Sequence, residues 1–363
     1  MEQGNKLEMK LGWAILPLLV MIGVMLVAIV LLEQGPHIPL IIGTAVASIV
    51  AYKHGFKWKE IEEMMYKGIR LALPAVVIII LVGLTIGAWI GGGIVATMIY
   101  YGLTIISPAY FLVTICLICA VVALSIGSSW STMGTIGVAG MGIGLSMGIP
   151  AAMVAGAVIS GAYFGDKMSP LSDTTNLAAG LTQTNLFEHI RHMLYTTIPG
   201  LLIALGVYFW IGRRFSETST DSSEITQTLV ILKDSFLISP WLLLVPLAVI
   251  VLVAKKVPAI PALVVGIALG FLAQVVVQGG SLADSVGALQ SGYVIYTGNE
   301  LVDNLFSRGG LDAMMYTVSM TIVAMTFGGI LEYSGMLQSI MNQIVKLAKS
   351  AGSLIASTIL AGF

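Results

Sequence analysis

The chain has 363 residues, 57% of them hydrophobic and 10% charged, with a mean hydropathy of +0.98. Soluble domains carry about 25% charged residues, so this composition excludes a water-covered globule, and a net charge of −1 excludes a nucleic-acid footprint. Repeated apolar runs near bilayer length predict an all-α polytopic membrane protein. The short alternating strands of an outer-membrane barrel are missing from the pattern.

Leu11–Leu32 is the first predicted span. It is longer than a signal-peptide core and lacks a clear cleavage site, so it reads as a retained helix. Ile38–Tyr52 is the second. The loop "KHGFKWKEIEEMMYKGIR" follows, and its Lys57–Arg70 part reads as an interfacial amphipathic helix. Lys6 and Lys10 before the first span, and Lys53, Lys57, Lys59, Lys67 and Arg70 after the second, place both ends in the cytoplasm. "EQGPH" then faces out. Leu71–Ile90 is the third span. "GGGIVATMIYYGLTII", Gly91 to Ile106, opens on three glycines and is left open as a half-helix, a short span or a re-entrant piece.

Pro108–Ser129 holds Cys116 and Cys119. With no other ligand type near them in sequence, this C-x-x-C reads as two small apolar residues in a helix rather than a metal or redox site. The run ends in a polar island, "SIGSSWSTMGTIG", with Ser128 and Ser129 among its hydroxyls. Its glycines and hydroxyls suit a hairpin tip or an unwound helix facing a site. The plainer reading is hydroxyls bonded back to helix carbonyls. Met133–Gly148 stays ambiguous because glycine recurs through it.

Pro150–Phe164 leads into "GAYFGDKMSPLSDTTNLAAG". From Leu71 to Phe187 the only Asp, Glu, Lys or Arg residues are Asp166, Lys167 and Asp173, all in this stretch. Pro170 removes a backbone donor and disfavours helical geometry at Ser169, so the helix is predicted to break there. Irregular backbone at membrane depth is tolerated only where protein buries it or a cavity is lined by it. An Asp at a helix centre costs roughly 2.5–3.5 kcal/mol on insertion scales, which makes such residues functional candidates. Asp166, Ser169, Ser172, Asp173, Thr174, Thr175 and Asn176 offer the oxygens a small hard cation takes. The alternative is an aqueous loop stabilised by an Asp–Lys pair.

His189 and His192 have H-x-x-H spacing but no third ligand nearby. Thr196–Ile211, Pro240–Ala254, Pro258–Val277 and Ala313–Tyr333 complete the predicted spans. "SETSTDSSEITQ" reads as an outer loop, as does Gln278 to Asp312. Arg191, Lys255–Lys256 and Lys346–Lys349 mark cytoplasmic ends. Between Arg70 and Arg191 the count of crossings must be even, with two and four both open. Arg308, before two glycines, could reach an anionic substrate or a carboxylate, or lie on a solvated helix. Glu332 could pair with a buried group or sit at an interface. The final "GSLIASTILAGF" begins another apolar run, which raises the expectation that part of a second half lies beyond Phe363.

"GDKMSPLSDTTNLA", the upstream "GSSWSTMGTIG" and the later "SRGGL" together resemble the NhaC-type sodium/proton antiporter family. The resemblance implies an inverted-repeat secondary transporter with broken or re-entrant helices, exchanging cytoplasmic Na⁺ for external H⁺ in the cell membrane. Some similar members exchange malate and lactate. The expected organisation is residues 1–70 as N-terminal spans and linker, 71–212 as a first repeat and 213–363 as part of a second.

Asp166 and Asp173 are the expected Na⁺ ligands and H⁺ acceptors. Ser128, Ser129, Ser169, Ser172, Thr174, Thr175 and Asn176 would complete the site, with Lys167, Arg308 and Glu332 as charge partners. The alternative is a Na⁺- or H⁺-coupled exchanger of malate or lactate, held by Arg308 or Lys167. No cofactor and no enzymatic activity are expected; the bilayer is the medium, and a monomer and a homodimer are both left open.

Overall fold

The computed structural model describes residues 9–105, 107–127, 129–169, 172, 174–175, 178–179, 184–217, 222–255 and 257–347; the side chains of 125, 126, 131, 135, 216–217, 222–225, 253–254, 259, 301 and 344–347 are outside that description. These residues fold into helices. Five are long and apolar enough to cross a membrane: Leu11–Leu31, Trp58–Gly91, Leu186–Phe215, Ile260–Val277 and Gly310–Tyr333. A sixth crossing is available if Thr226–Ser235 and Pro240–Leu252, bent by 91°, act as one broken span or re-entrant loop. Shorter apolar helices are His37–Lys53, Ile94–Ile105 and Pro108–Leu124. The protein is a multi-pass α-helical membrane protein.

In chain order, α1 is Leu11–Leu26, continued by a π-helical turn at Val27–Leu31; α2 is His37–Lys53; α3 is Trp58–Gly91; α4 is Ile94–Ile105; α5 is Pro108–Ile126. A short turn, α6 (Ser129–Thr132), and a π-helical stretch, Met133–Gly137, lead into α7, Val138–Ser146. Then come α8 (Ala151–Met168), α9 (Leu186–Glu217), α10 (Ser222–Ser235) and α11 (Leu244–Ala254, entered by a 3₁₀ turn at Pro240–Leu243). α12 is Ala259–Leu272 with a π-helical end at Ala273–Val277; α13 is Leu282–Ser291; α14 is Glu300–Phe306; α15 is Gly310–Tyr333; α16 is Met336–Leu347.

The apolar helices fall close to where hydropathy puts the predicted spans, but those at Ile38–Tyr52 and Pro108–Ser129 are among the shorter apolar helices, and there are two further departures. Lys57–Arg70 is not a separate interfacial helix but the first half of α3, which runs unbroken to Gly91. Its polar face and the apolar run beyond it share one helical period, and the Lys57 N–H is capped by the Glu60 carboxylate at 2.7 Å. Pro74 removes a single hydrogen bond and does not end the helix. The second departure is α10: part of the stretch read as an outer loop is helical from Ser222.

The chain divides into two compact units. One joins the residues up to Val76 with those from Tyr316 on. Its core contains Ala47, Val50, Ala51, Ile61, Ile330 and Met336. There α1 and α2 form a hairpin whose open end carries the Lys53 ammonium over the Trp13 ring at 5.5 Å, an anchor suited to a membrane interface. The other unit is Val77–Met315. Its core is built around Trp89, Ile94, Ile99, Phe111 and Phe306. The Trp89 indole N–H donates to the Gly266 carbonyl at 3.0 Å, so this large ring is buried without leaving its donor unmet.

Candidate functional site

The most extensive helix pairing in the second unit is that of α5 with α8. Gly161 and Gly165 lie four apart on α8, where a methyl group at Gly161 would run into the Cys116 carbonyl and one at Gly165 into the Ala120 carbonyl. Small residues at that spacing let two membrane helices approach backbone to backbone. Cys116 and Cys119 are fully buried and form part of the facing surface. Their small size is what the packing uses.

This approach fixes the next residue, Asp166, against the end of α5. There Gly127, at φ +71, takes the left-handed conformation and stops the helix, its N–H bonded to the Ala123 carbonyl at 2.7 Å. Ser129, just beyond, donates both its backbone N–H (3.1 Å) and its hydroxyl (2.7 Å) to Asp166 Oδ2. Asp166 is only 9% exposed, and its other oxygen, Oδ1, is buried with no hydrogen-bond partner. The polar island therefore reaches the Asp motif through Ser129. A π-helical stretch, Met133–Gly137, follows directly; such irregular turns are frequent at functional sites.

α8 ends at Met168, and Ser169 is extended (φ −80, ψ 130), the geometry expected before a proline. Beyond it the Thr175 hydroxyl donates back to the Lys167 carbonyl at 3.0 Å. Ser172 and Thr174 hydroxyls bond each other at 2.9 Å, and the Thr175 N–H reaches the Ser172 hydroxyl at 3.4 Å. Ser169, Ser172 and Thr175 are buried, while Thr174 is exposed. Hydroxyls thus cap the broken end of α8. Asp173, Ser128 and Asn176 lie outside the described residues.

Of the expected charge partners, neither Lys167 nor Arg308 is bonded to Asp166 among the described residues. Lys167 is exposed and, among the described residues, makes no ion pair with it. Arg308 is exposed and donates through Nε and Nη2 to the Asn304 carbonyl at 3.2 and 2.7 Å, capping α14. In "SRGGL" it is the glycines that the fold demands. Gly309 and Gly310 have φ of +89 and +80, and a methyl group on Gly309 would fall 2.6 Å from the Gly87 nitrogen. Glu332 is exposed and belongs to the other unit. His192 is exposed with its ring edge-on to Tyr195.

One polar element escaped the sequence reading. Gln278 clasps two chain breaks: its amide donates to the carbonyls of Gly92 (3.3 Å) and Leu237 (3.1 Å) and accepts from the Leu237 N–H (3.0 Å). Gln274, one turn earlier, is 3% exposed with Oε1 unpartnered. Two glutamines four apart at the end of the apolar run "FLAQVVVQGG" were the available signal.

Comparison with known proteins bears on this arrangement. The model of the Na⁺/H⁺ antiporter family matches residues 161–363, starting at the glycine that packs α8 on α5. The chain is 40% identical over 348 residues to the Na⁺/H⁺ antiporter NhaC of Alkalihalophilus pseudofirmus, covering 96% of this chain and 75% of that one. The chain belongs to the Na⁺/H⁺ antiporter family. Membership makes it a membrane transporter rather than an enzyme. Within the family it is also 36% identical over 350 residues to the malate-2H⁺/Na⁺-lactate antiporter of Bacillus subtilis, covering 95% of this chain and 75% of that one. It is 36% identical over 345 residues to the arginine/ornithine antiporter ArcD of Halobacterium salinarum, covering 94% of this chain and 71% of that one. No solved structure matches the chain. The relatives are thus named for inorganic and for organic cargo.

Proposed function

We propose that this antiporter exchanges Na⁺ for H⁺ at one carboxylate site centred on Asp166. The observation that carries the reading is the asymmetry of that carboxyl group. Oδ2 receives both donors of Ser129, whereas Oδ1 is buried and unmatched. Leaving a buried charged oxygen unmet costs upward of about 1–3 kcal/mol. Either a proton on Oδ1 or a sodium ion against it removes that cost, and the two cannot share the position. Binding one cargo therefore expels the other, and a carrier that reorients only when the oxygen is satisfied must exchange rather than leak.

Asp173 would supply a second charge. Ser128, Ser169, Ser172, Thr174, Thr175 and Asn176 would supply hydroxyl, amide and carbonyl oxygens, which suit a hard cation. The organisation proposed with this site is a first transport repeat over residues 71–212 and a second half over 213–363. The N-terminus is placed in the cytoplasm of a cell-membrane protein, on the Lys and Arg bias of the first two loops. The direction of exchange is cytoplasmic Na⁺ for external H⁺.

The test is Na⁺-driven H⁺ flux in proteoliposomes. Asp166→Asn is expected to abolish it, and an Asp166→Asn protein running at the parental rate would remove the residue from the mechanism. Asp173→Asn in parallel asks whether the second carboxylate is needed. A second reading, exchange of malate or lactate coupled to Na⁺ or H⁺, is favoured by the 36% identity to a relative named for those acids. It predicts flux that depends on malate or lactate and not on Na⁺ alone.

A further inference from the structure

We infer that the second unit contains a cation-attracting vestibule, separate from the residues around Asp166, that admits a hydrated monovalent cation. It is a cavity of about 620 Å³ bordered by Gln274, Gln278, Asp284, Ser291 and Tyr293. A water molecule needs only roughly 10–15 Å³ of such space, so an ion can enter with its hydration shell.

Its electrostatics follow from which helix ends meet there. Gly91 is the last residue of α3, Ser235 the last of α10 and Ser291 the last of α13, while Gln274 lies within the π-helical end of α12 and Gln278 caps it. A helix C-terminus presents unshared carbonyls and roughly half a negative charge. Several such ends around one cavity make its potential negative. Asp284 adds a carboxylate. Its Oδ2 accepts the Ser281 hydroxyl at 2.6 Å while Ser281 caps the start of α13, so that helix's positive end is already matched. Burial and then the Asp284 charge push the Tyr293 phenol up, in keeping with a negative cavity. No Lys, Arg or His borders it among the described residues, so nothing there would hold an organic acid.

The second observation is Gln274. Its side chain is 97% buried at the cavity wall, pressed on Gly91, and its Oε1 meets no donor. A buried amide oxygen without a donor is a cation ligand or a water acceptor. Carbonyls, one carboxylate and one free amide oxygen form a donor set for a cation. The vestibule gives the cargo proposed above a place to concentrate before dehydration, and in that respect it rests on that reading. Its electrostatics can be tested without any transport.

The experiment uses the full-length protein in detergent, which exposes both faces. Val294→Cys places a thiol on the cavity wall at a residue that is 56% exposed; Tyr296→Cys places one two residues away at a position 90% exposed and off the wall. Each is modified by a trimethylammonium-bearing and by a sulfonate-bearing methanethiosulfonate. The cationic-to-anionic rate ratio at Val294→Cys should exceed that at Tyr296→Cys by about fivefold, the combined effect on the two reagents of one charge roughly 8 Å away through water. Adding Asp284→Asn should lower the ratio at the first position only. Na⁺ should slow the cationic reagent there more than choline at equal ionic strength, and Gln274→Leu should erase that protection. Cys116 and Cys119, both buried, report folding by staying unmodified. Equal ratios at the two positions, or an enrichment that Asp284→Asn leaves undiminished, would overturn the vestibule and leave the Asp166 flux result standing. Loss of flux at Asp166 with these ratios intact, or the reverse, separates the two proposals.

Discussion

Asp166 is held from one side only. Two donors from Ser129 converge on Oδ2, and the opposite oxygen is buried without a hydrogen-bond partner. On the proposed mechanism, the Ser129 hydroxyl helps hold Asp166 where sodium would bind. Removing a hydrogen bond to a charged group costs roughly 1.5–3 kcal/mol. Ser129→Ala is therefore expected to raise the Na⁺ concentration for half-maximal exchange by about tenfold or more at fixed pH. An unchanged half-maximal Na⁺ concentration, measured by Na⁺-dependent H⁺ flux, would show that the hydroxyl plays no part in holding the ion. Much of this residue-level picture is legible in the sequence. A lone acidic pair in a long apolar stretch marks the motif, and Pro170 marks the break at Ser169. That Ser129 and not Lys167 meets Asp166 is not legible, because it depends on how deeply α5 and α8 interlock.

At the scale of elements, the α5–α8 contact decides where Asp166 sits. Gly165→Ala puts a methyl group against the Ala120 carbonyl, and backbone cannot swing aside as a flexible side chain would. Overpacking of this kind costs about 1–3 kcal/mol. The variant should lower the thermal unfolding midpoint and depress exchange with Asp166 unchanged in sequence. Gly206→Ala on α9, where nothing lies within 4 Å, is the matched control. It should leave exchange intact and hold or raise stability, since alanine favours a helix by about 1 kcal/mol over glycine. Gln278→Leu should destabilise by a similar 1–3 kcal/mol, since the Leu237 N–H and two carbonyls lose their partner; a melting curve equal to the parent's would contradict the clasp. Elements were read from the sequence where one pattern ruled a whole segment, as for α1, α2 and α8. They were misread where two patterns met. The charged start of α3 hid its continuity with the apolar run, and the serine-rich start of α10 hid the helix in "TLVILKDS".

For the whole molecule, hydropathy alone announces a multi-pass helical protein, because each span must satisfy its own backbone in lipid. The division into units is different. One unit joins α1 and α2 with α15 and α16, a pairing across most of the chain that no local pattern encodes. Cargo is likewise a property of the whole. Relatives named for Na⁺/H⁺, malate/lactate and arginine/ornithine exchange are all 36–40% identical to this chain. Solid-supported-membrane currents under separate Na⁺, Li⁺, K⁺, malate and lactate gradients should show a response to Na⁺ and none to malate or lactate without it. An acid-driven current in Na⁺-free solution would favour the organic-acid reading. The claim beneath all of this is competition for one oxygen. Its most direct measurement is proton release from purified protein in weak buffer on addition of Na⁺. The account predicts release by the parent protein and none by Asp166→Asn; sodium binding without release in the parent, or undiminished release in the variant, would contradict it.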